Sequence, residues 1–289
     1  MPRGSPFTML CRQFAGLSGP RRADLHIHTT ASDGSYTPSQ AVALARQAKL
    51  AAIAITDHDT LAGLAEARRT AAEMPTPTVD VIPGVEITTT FQGRELHLLG
   101  YFVRDDDVGL NTLLERTCAL RRVRFRELLA KLAEPLPEEA IAAVERLSTS
   151  LGRRHIASLL VRCGRARTHH EAWQRFVGRL GREIARPDWP RIEDAIAVVR
   201  AAGGVPSLAH PPAEFEEAEF AALQGMGLLA VEAAYPWSRA ATGNRIRDIA
   251  GRLGLRITGG SDCHGPEPSH RGIGSHGISL EELAKLHPG

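Results

Sequence analysis

Long apolar segments are missing from this chain of 289 residues, and none approaches the roughly 20 residues that a membrane-spanning helix needs. Cysteine is scarce: the four residues form no CxxC pair, which excludes a disulfide framework and indicates reduced thiols in a cytoplasm. Aromatic residues make up only 5%, so the sequence offers no evident stacking platform for nucleic acid. The net charge of +2 likewise demands no nucleic-acid or membrane partner.

What is present supports a sizeable folded unit. Apolar residues make up 43% of the chain, which is enough for one large domain or one domain with an insertion. Residues 1–22 are basic and rich in Gly and Pro, and they lack the apolar centre of a secretory signal. We therefore predict a disordered extension over 1–22 and a folded unit from residue 23 onward.

Short apolar segments with the length of strands alternate with segments of helical periodicity along most of the chain. Strand followed by helix, repeated, is typical of parallel strands with helical crossovers, and therefore of an α/β fold. Thr37 and Pro38 mark one helix start, as a cap and a first-turn residue. Strands are predicted near 23–28, 51–56, 79–87, 95–103, 204–209, 228–233 and 255–259, and helices near 38–49, 60–73, 191–202, 215–226 and 238–254.

The stretch from 107 to 188 interrupts this alternation. It contains no convincing strand, and its Arg, Leu, Ala and Glu content is typical of helices, with one long helix predicted over 114–132. We interpret 107–188 as a helical insertion that forms a lid over the site. Residues 23–106 and 189–289 would then form the barrel that the insertion interrupts.

The most informative segment is DLHIHTTASDG, which carries His26, His28 and Asp33. Two histidines two residues apart on a strand point to the same face, so both imidazoles can reach one metal ion. Asp33, on the loop that follows, can reach a second ion. Histidine and carboxylate together are the ligands of zinc, manganese and iron sites rather than of a calcium loop.

Five further segments combine an apolar, strand-like stretch with a His, Asp or Glu. They are TDHD, PGVEIT, ELHLLGY, LAHP and GGSDCH, and they contribute His58, Glu86, His97, His210, Asp262 and His264. Local alternatives exist, since Asp59 can cap a helix and His97 can be a buried neutral histidine. Asp262 and His264, after two glycines, can lie in a simple turn. Coincidence of six such groups favours a shared metal cluster over these separate explanations.

The spacing also sorts the candidate ligands. The two oxygens of Glu86 can bridge two ions, whereas Asp262 and His264, at i and i+2, can serve neighbouring ions. The nine candidates together would hold three divalent cations with Glu86 shared. Three divalent cations carry a large positive charge, which favours an anionic substrate. Such ions also activate a water molecule and neutralise a phosphoryl group. The sequence therefore predicts hydrolysis of a phosphate ester.

Together these segments resemble the motifs of the PHP (polymerase and histidinol phosphatase) family, over roughly 23–103 and 190–265. The resemblance implies an α/β fold, a distorted (β/α)7 barrel (PHP fold) with a helical insertion, and a site for two or three divalent metal ions. By that resemblance the first ion is held by His26, His28, Glu86 and Asp262, the second by Glu86, His97 and His210, and the third by Asp33, His58 and His264.

Within the family, the lid segment GRRHIASLLV is similar to that of nucleoside 3′,5′-bisphosphate phosphatases and related 5′-to-3′ exoribonucleases. The resemblance implies that His155 faces the cluster and contacts phosphate or moves a proton, with a helix-capping role as the alternative. Arg121 and Arg124 would bind a second phosphate in fork geometry, unless they form a solvated helix face. Arg154 stands where the family more often has Pro.

We therefore expect an enzyme in which a metal-bridging hydroxide hydrolyses a phosphate monoester of a small nucleotide, such as adenosine 3′,5′-bisphosphate, or a short RNA 5′ end. Mn²⁺ is the expected metal, with Fe²⁺ or Zn²⁺ as alternatives, because histidine and carboxylate ligands accept all three. A cytoplasmic location is expected, with no membrane association and no obligate protein partner. Histidinol-phosphate phosphatase and a non-catalytic PHP scaffold module are the alternative functions.

Overall fold

A single eight-stranded sheet, bent almost into a closed barrel, organises the fold of this protein in a computed structural model. The structure describes residues 22–267 and 269–286. The extension predicted over 1–22 therefore lies outside the described residues, except for Arg22, which begins the first strand.

The strands are β1 (Arg22–Ile27), β2 (Ala52–Ile55), β3 (Asp80–Phe91), β4 (Arg94–Tyr101), β5 (Val205–Leu208), β6 (Ala230–Ala234), β7 (Arg256–Gly259) and β8 (Ile278–Ser279). They lie side by side in the order β7-β6-β5-β4-β3-β2-β1-β8. β1 to β3 pair in parallel, as do β5 to β7. A bridge between Ile27 and Cys263, beyond β7, brings the two ends of the sheet together, and the predicted α/β barrel is confirmed.

The helices are α1 (Pro38–Gln47), α2 (Leu64–Glu73), α3 (Val108–Ala130), α4 (Glu138–Leu147), α5 (Arg153–Arg162), α6 (His169–Ala172), α7 (Gly178–Glu183), α8 (Ile192–Ala201), α9 (Glu217–Gly225), α10 (Ala240–Leu253) and α11 (Leu280–Leu286). The predicted cap of α1 is confirmed: Thr37 Oγ1 accepts from the backbone N–H of Gln40, and Pro38 opens the first turn. No helix in the described parts of the chain is long and apolar enough to cross a membrane.

β4 departs from the predicted alternation, because it runs antiparallel to both β3 and β5. Gln92 and Gly93 join β3 to β4, and both have positive φ, of 49° and 73°. Two such residues are typical of a tight hairpin turn, which returns the chain beside itself without a helix. The hairpin extends β3 to Phe91, four residues beyond its predicted end at 87.

The segment between β4 and β5 contains helices α3 to α7, with a turn of π-helix at Trp173–Val177 between α6 and α7. These helices pack around an apolar cluster of their own, which includes Phe125, Ile156 and Leu180. The long α3 spans most of the predicted helix. The proposal that this segment acts as a lid depends on the site that it covers.

Candidate metal centre

The structure brings together every residue of the predicted ligand set at one end of the barrel. The ligand atoms form four overlapping groups, and within each group they lie within 4.8 Å of one another. The groups are His28, Asp33, His58 and His264; His26, His28 and Asp262; His26, Glu86 and His210; and His58, Glu86 and His97. Overlap between the groups means that the nine side chains form one continuous cluster.

Strand direction explains how these residues meet. The carboxyl ends of the parallel strands lie at the same end of the barrel, so residues just after β2, β5 and β7 converge there. His58, His210, Asp262 and His264 are placed in this way. His97 reaches the same end by the opposite route, because β4 is antiparallel and its amino-terminal half lies at the site.

Glu86 lies at the centre of the cluster and is 1% exposed. Five imidazole nitrogens surround its two oxygens: Oε2 lies 3.4 Å from His26 Nε2, 3.1 Å from His28 Nε2 and 3.0 Å from His58 Nδ1, and Oε1 lies 2.9 Å from His97 Nδ1 and 3.1 Å from His210 Nε2. The two oxygens therefore face different sets of histidines. This arrangement is the one that a carboxylate bridging two ions requires.

The other two carboxylates complete the cluster on either side. Asp262 Oδ1 lies 3.5 Å from His26 Nε2 and 3.2 Å from His28 Nε2. Asp33 Oδ1 lies 3.3 Å from His264 Nε2. Ligand atoms around one tetrahedral ion with bonds of about 2.1 Å lie about 3.4 Å apart, so this spacing suits a shared cation.

Unpaired polar atoms give an independent test of whether the residues fit metal ions. Buried polar atoms in folded proteins are normally hydrogen-bonded. In the described part of the chain, the buried cluster atoms that lack a partner are His26 Nε2, His28 Nδ1, His28 Nε2, Asp33 Oδ1, His58 Nδ1 and Glu86 Oε2. Divalent cations would satisfy these lone pairs, and the donor set of histidine and carboxylate suits them.

The electrostatics of the cluster also favour cations. Burial lowers the pKa of His28, but the nearby carboxylates of Asp262 and Glu86 outweigh burial and raise it to about 9. Burial dominates at His58 and lowers its pKa to about 3, so this ring is neutral at pH 7. Imidazole binds metal only in its neutral form, so an ion that binds at His28 must displace a proton.

Glu232 supports the cluster from behind and was missed by the sequence prediction. It is fully buried on β6, where Oε1 accepts a hydrogen bond from His26 Nδ1 at 3.1 Å and Oε2 accepts one from His210 N at 2.7 Å. The proton on Nδ1 leaves the lone pair of His26 Nε2 free for a metal ion. The only sequence signal is a single acid inside an otherwise apolar strand.

The two aspartates of the TDHD segment are structural. Asp57 accepts hydrogen bonds from Thr29 N at 2.7 Å and from Ser32 Oγ at 2.6 Å, and so fixes the loop that carries Asp33. Asp59 accepts from Thr88 N at 2.8 Å and from Arg121. The alternative that Asp59 caps a helix is therefore wrong, because its oxygens face β3 and α3.

Three residues at the cluster have strained backbone. His210 and Asp262 have φ values of 25° and 45°, and Asp59 has 54°, although none of them is glycine. Such conformations cost of the order of 1–3 kcal/mol each and persist where the surrounding structure demands them. Here the strain aims ligand side chains that follow β5 and β7 into the cluster.

A pocket of about 550 Å³ opens over the cluster, between the barrel and the helices α3 and α5. Arg121 and Arg124 line it, as predicted, but both guanidinium groups are already engaged. Arg121 donates to Asp59 and to Thr88 Oγ1, and Arg124 pairs with Glu95 at 3.1 Å. They do not form a solvated helix face, and binding of a second phosphate by them stays a prediction.

The geometry does not support the predicted role of His155 in contacting substrate. Its ring is buried within the helical segment and is not part of the pocket lining. Nδ1 accepts from the backbone N–H of Gly152 at 3.0 Å, and Nε2 lies 3.1 Å from Ser148 Oγ. Nδ1 thus caps the start of α5, which is the alternative that the sequence left open, while Nε2 is occupied by a contact to the residue that follows α4.

Glu95 joins the barrel to the helical segment. Its Oε2 accepts from Arg124 Nη1 at 3.1 Å and from Trp189 Nε1 at 2.9 Å, and the side chain is 19% exposed. Burial raises the pKa of Glu95, but His97, Arg153 and Arg124 outweigh burial and lower it from 4.5 to about 2. The ionised carboxylate therefore stabilises the folded state above pH 4.5, and this contribution is lost as the pH falls towards 2.

Glu95→Gln is expected to lower the free energy of unfolding by about 2 kcal/mol at pH 7, because Arg124 loses its buried partner charge. The difference in the free energy of unfolding between variant and parent should shrink between pH 4.5 and pH 3, because the stabilisation by the ionised Glu95 of the parent begins to be lost there. Urea unfolding at both pH values measures this. Glu214→Gln, in an exposed pair with Arg94, is the matched control and should change stability little. A pH-independent difference would contradict the assignment.

A barrel whose strand ends hold a buried histidine and carboxylate cluster around a shared glutamate defines the class of multi-metal hydrolases. Residues 24–153 match the PHP domain model. Together with the relatives below, this match shows that the chain belongs to the PHP family, and the predicted family membership is confirmed.

Three relatives carry names for phosphoester cleavage. The chain is 33% identical over 192 residues to a 5′-3′ exoribonuclease of Haemophilus influenzae, covering 66% of this chain and 69% of that protein. It is 33% identical over 251 residues to the phosphoribosyl 1,2-cyclic phosphate 1,2-diphosphodiesterase of Eggerthella lenta, covering 84% and 94%. It is 27% identical over 264 residues to a 3′,5′-nucleoside bisphosphate phosphatase of Chromobacterium violaceum, covering 87% and 90%.

The fold is similar to that of a solved structure from Bifidobacterium adolescentis described as a metal-dependent phosphoesterase. The TM-score is 0.83 at 29% identity, over 93% of this chain and 96% of that one. The likeness therefore extends through the helical segment between β4 and β5 as well as the barrel.

Proposed function

We propose that the protein is a metal-dependent phosphoesterase that hydrolyses a phosphate ester of a small nucleotide or of a short RNA 5′ end. The observation that carries the proposal is the continuous cluster of nine ligand side chains beneath an arginine-lined pocket. The names of the relatives support a nucleotide or RNA substrate, since two of the three act on such molecules.

The cluster would hold two or three divalent ions, and we propose Mn²⁺ as the metal. Glu86 would be shared between ions, with the histidines on its two oxygens belonging to different ions. When bound, such ions lower the pKa of a water molecule and neutralise the phosphoryl oxygens. Glu232 orients His26 and His210, and Asp57 holds the loop of Asp33, so the protein keeps the ligands in place.

The helical segment 107–188 is proposed as the lid over this centre. Arg121 and Arg124 on α3, and Gly152 at the start of α5, line the pocket from that side. A Cβ on Gly152 would lie 3.3 Å from Asp33 Oδ2, which shows how closely the segment approaches the cluster. The lid thus limits water access and presents cationic groups to the substrate.

Arg154 is the pocket arginine that is free to bind phosphate. Five arginines line the pocket, and four of them pair with Asp59, Glu95 or Asp262. Arg154, near the start of α5, has no carboxylate partner among the described residues, and its buried Nε has no hydrogen-bond acceptor. A guanidinium group in this state suits the planar, bidentate recognition of a phosphate.

Arg154→Gln is expected to lower kcat/KM for a nucleotide bisphosphate by about tenfold to a hundredfold, because one charge-assisted hydrogen bond to phosphate is lost. Steady-state kinetics with Mn²⁺ would measure the loss. Arg162→Gln, at the exposed end of the same helix, is the matched control and should behave like the parent. Equal effects of the two substitutions would argue against a phosphate contact at Arg154.

A substrate panel tests the proposed function. Purified protein with Mn²⁺ is assayed for release of phosphate or nucleotide from adenosine 3′,5′-bisphosphate, a short 5′-phosphorylated RNA, histidinol phosphate and a ribose 1,2-cyclic phosphate. The cyclic ester is included because the Eggerthella lenta relative, which matches this chain over 84% of its length, is named for such a bond. Activity on a nucleotide or RNA that a chelator abolishes and Mn²⁺ restores supports the proposal. Preference for histidinol phosphate or for the cyclic phosphate would change the proposed substrate class. Hydrolysis of none of the four substrates would refute the proposal.

A further inference from the structure

The tryptophans of this chain are concentrated in one place. All three of them, Trp173, Trp189 and Trp237, line the pocket over the cluster. The low aromatic content predicts no stacking platform, but it does not show where the few aromatic residues lie. Hydrolysis at the proposed metal ions does not itself need these three aromatic side chains in the pocket lining.

Two of these tryptophans contact charged side chains of the protein. Trp189 is 4% exposed, donates a hydrogen bond from Nε1 to Glu95, and lies under the guanidinium group of Arg124. Trp173, in the helical segment, is 39% exposed and has Arg153 5.4 Å from its ring centroid. Neither ring lies against a residue of the ligand cluster.

Trp237 differs in both exposure and position. It follows β6, is 52% exposed, and lies 5.4 Å from the ring of His210. Arg271 lies 4.8 Å from its ring centroid, and Tyr235 contacts it edge-on at 5.7 Å. The same Arg271 pairs with Asp262. The indole is thus fixed to the cluster from two directions, while half of its surface stays open in the pocket.

We infer that Trp237 is the stacking platform for the nucleobase of the substrate, so that the site selects base-bearing phosphates over base-free ones. The inference rests on the proposed function and narrows its substrate class. A nucleotide places its base one ribose away from its phosphate, and a phosphate at the cluster therefore brings the base beside the residue that contacts His210. Stacking on indole is tolerant of sequence, since every base has a π-face. Arg271 lies over one face of the ring, so a base would stack on the other face.

Kinetics with two substrates test this inference. Mn²⁺-loaded Trp237→Leu is compared with Trp237→Phe and the parent on adenosine 3′,5′-bisphosphate and on ribose 5-phosphate. We expect Trp237→Leu to raise KM for the nucleotide about tenfold, with kcat little changed, and to leave kcat/KM for ribose 5-phosphate unaltered. Trp237→Phe, which keeps a π-face, should recover most of the loss. Equal losses on both substrates, or no loss on either, would overturn the inference.

Intrinsic fluorescence provides a second readout that needs no turnover. Because every tryptophan of the chain lines the pocket, indole emission reports on this site alone. Adenosine monophosphate should quench the emission of the parent strongly and that of both Trp237→Phe and Trp237→Leu only weakly, because both variants lack the stacked indole. Inorganic phosphate should not quench. Unchanged quenching in Trp237→Leu would refute the platform. Quenching through Trp237 in a protein that hydrolyses no phosphoester would uphold it while the proposed function fails.

Discussion

Glu86→Gln is expected to reduce kcat by about a thousandfold or more, because a bridging metal ligand contributes several kcal/mol to the stabilisation of the developing charge. Glutamine has the same size, but it offers one oxygen in place of two. Its amide N–H groups would face either His97 and His210 or His26, His28 and His58, according to the rotamer. One set of ligands then loses its shared anion, and cations bind poorly beside an amide nitrogen.

The phosphatase assay with saturating Mn²⁺ measures this loss, and Glu214→Gln on the exposed surface is the control for the same chemical change. A Glu86→Gln protein that keeps more than a tenth of the parental kcat would show that catalysis does not depend on a shared carboxylate at the centre of the cluster.

Glu232→Gln is expected to weaken Mn²⁺ binding by about tenfold to a hundredfold, the usual effect of removing a group that orients a metal ligand. Glu232 does not line the pocket, so it would not contact substrate. It acts through the Nδ1 proton of His26 and the backbone N–H of His210. Glutamine can present its amide N–H to His26 Nδ1, which would favour the tautomer with the proton on Nε2, where the metal should bind. Loss of affinity should therefore exceed loss of kcat at saturating Mn²⁺.

Calorimetric titration with Mn²⁺ measures the loss of metal affinity separately from the loss of kcat. Activity measured as a function of Mn²⁺ concentration should likewise show a larger change in affinity than in kcat. Glu145→Gln, which breaks a pair with Arg126 in the helical segment, is the control for loss of an acid far from the cluster. An unchanged Mn²⁺ affinity in Glu232→Gln would show that Glu232 does not determine the orientation of His26.

Much of the fold could be predicted because its signals are local. The cap at Thr37 and the short buried segments of β1 and β2 each depend on a few neighbouring residues. The ligand candidates were visible for the same reason, since a histidine or acid directly after an apolar strand is a local pattern. Their convergence followed from the common direction of parallel strands.

The features that could not be predicted depend on contacts between distant segments. The direction of β4 is set by a two-residue turn whose sequence, Gln92 and Gly93, differs from the common hairpin pairs. β8 is two residues long, too short to show periodicity. Glu232 differs from a solvated acid only by its burial against His26, and the pairing of Arg121 with Asp59 crosses from α3 to the barrel. His155 was predicted to contact phosphate or move a proton, but its Nδ1 caps α5 and its Nε2 lies beside Ser148 Oγ.

The number of Mn²⁺ ions bound per chain tests the central claim most directly. Equilibrium dialysis of the purified protein against Mn²⁺, followed by elemental analysis, should give two or three ions per chain, the number that the predicted ligand sets would hold. A stoichiometry of one ion or none would contradict the account, because the nine side chains would then not form a shared multi-metal centre.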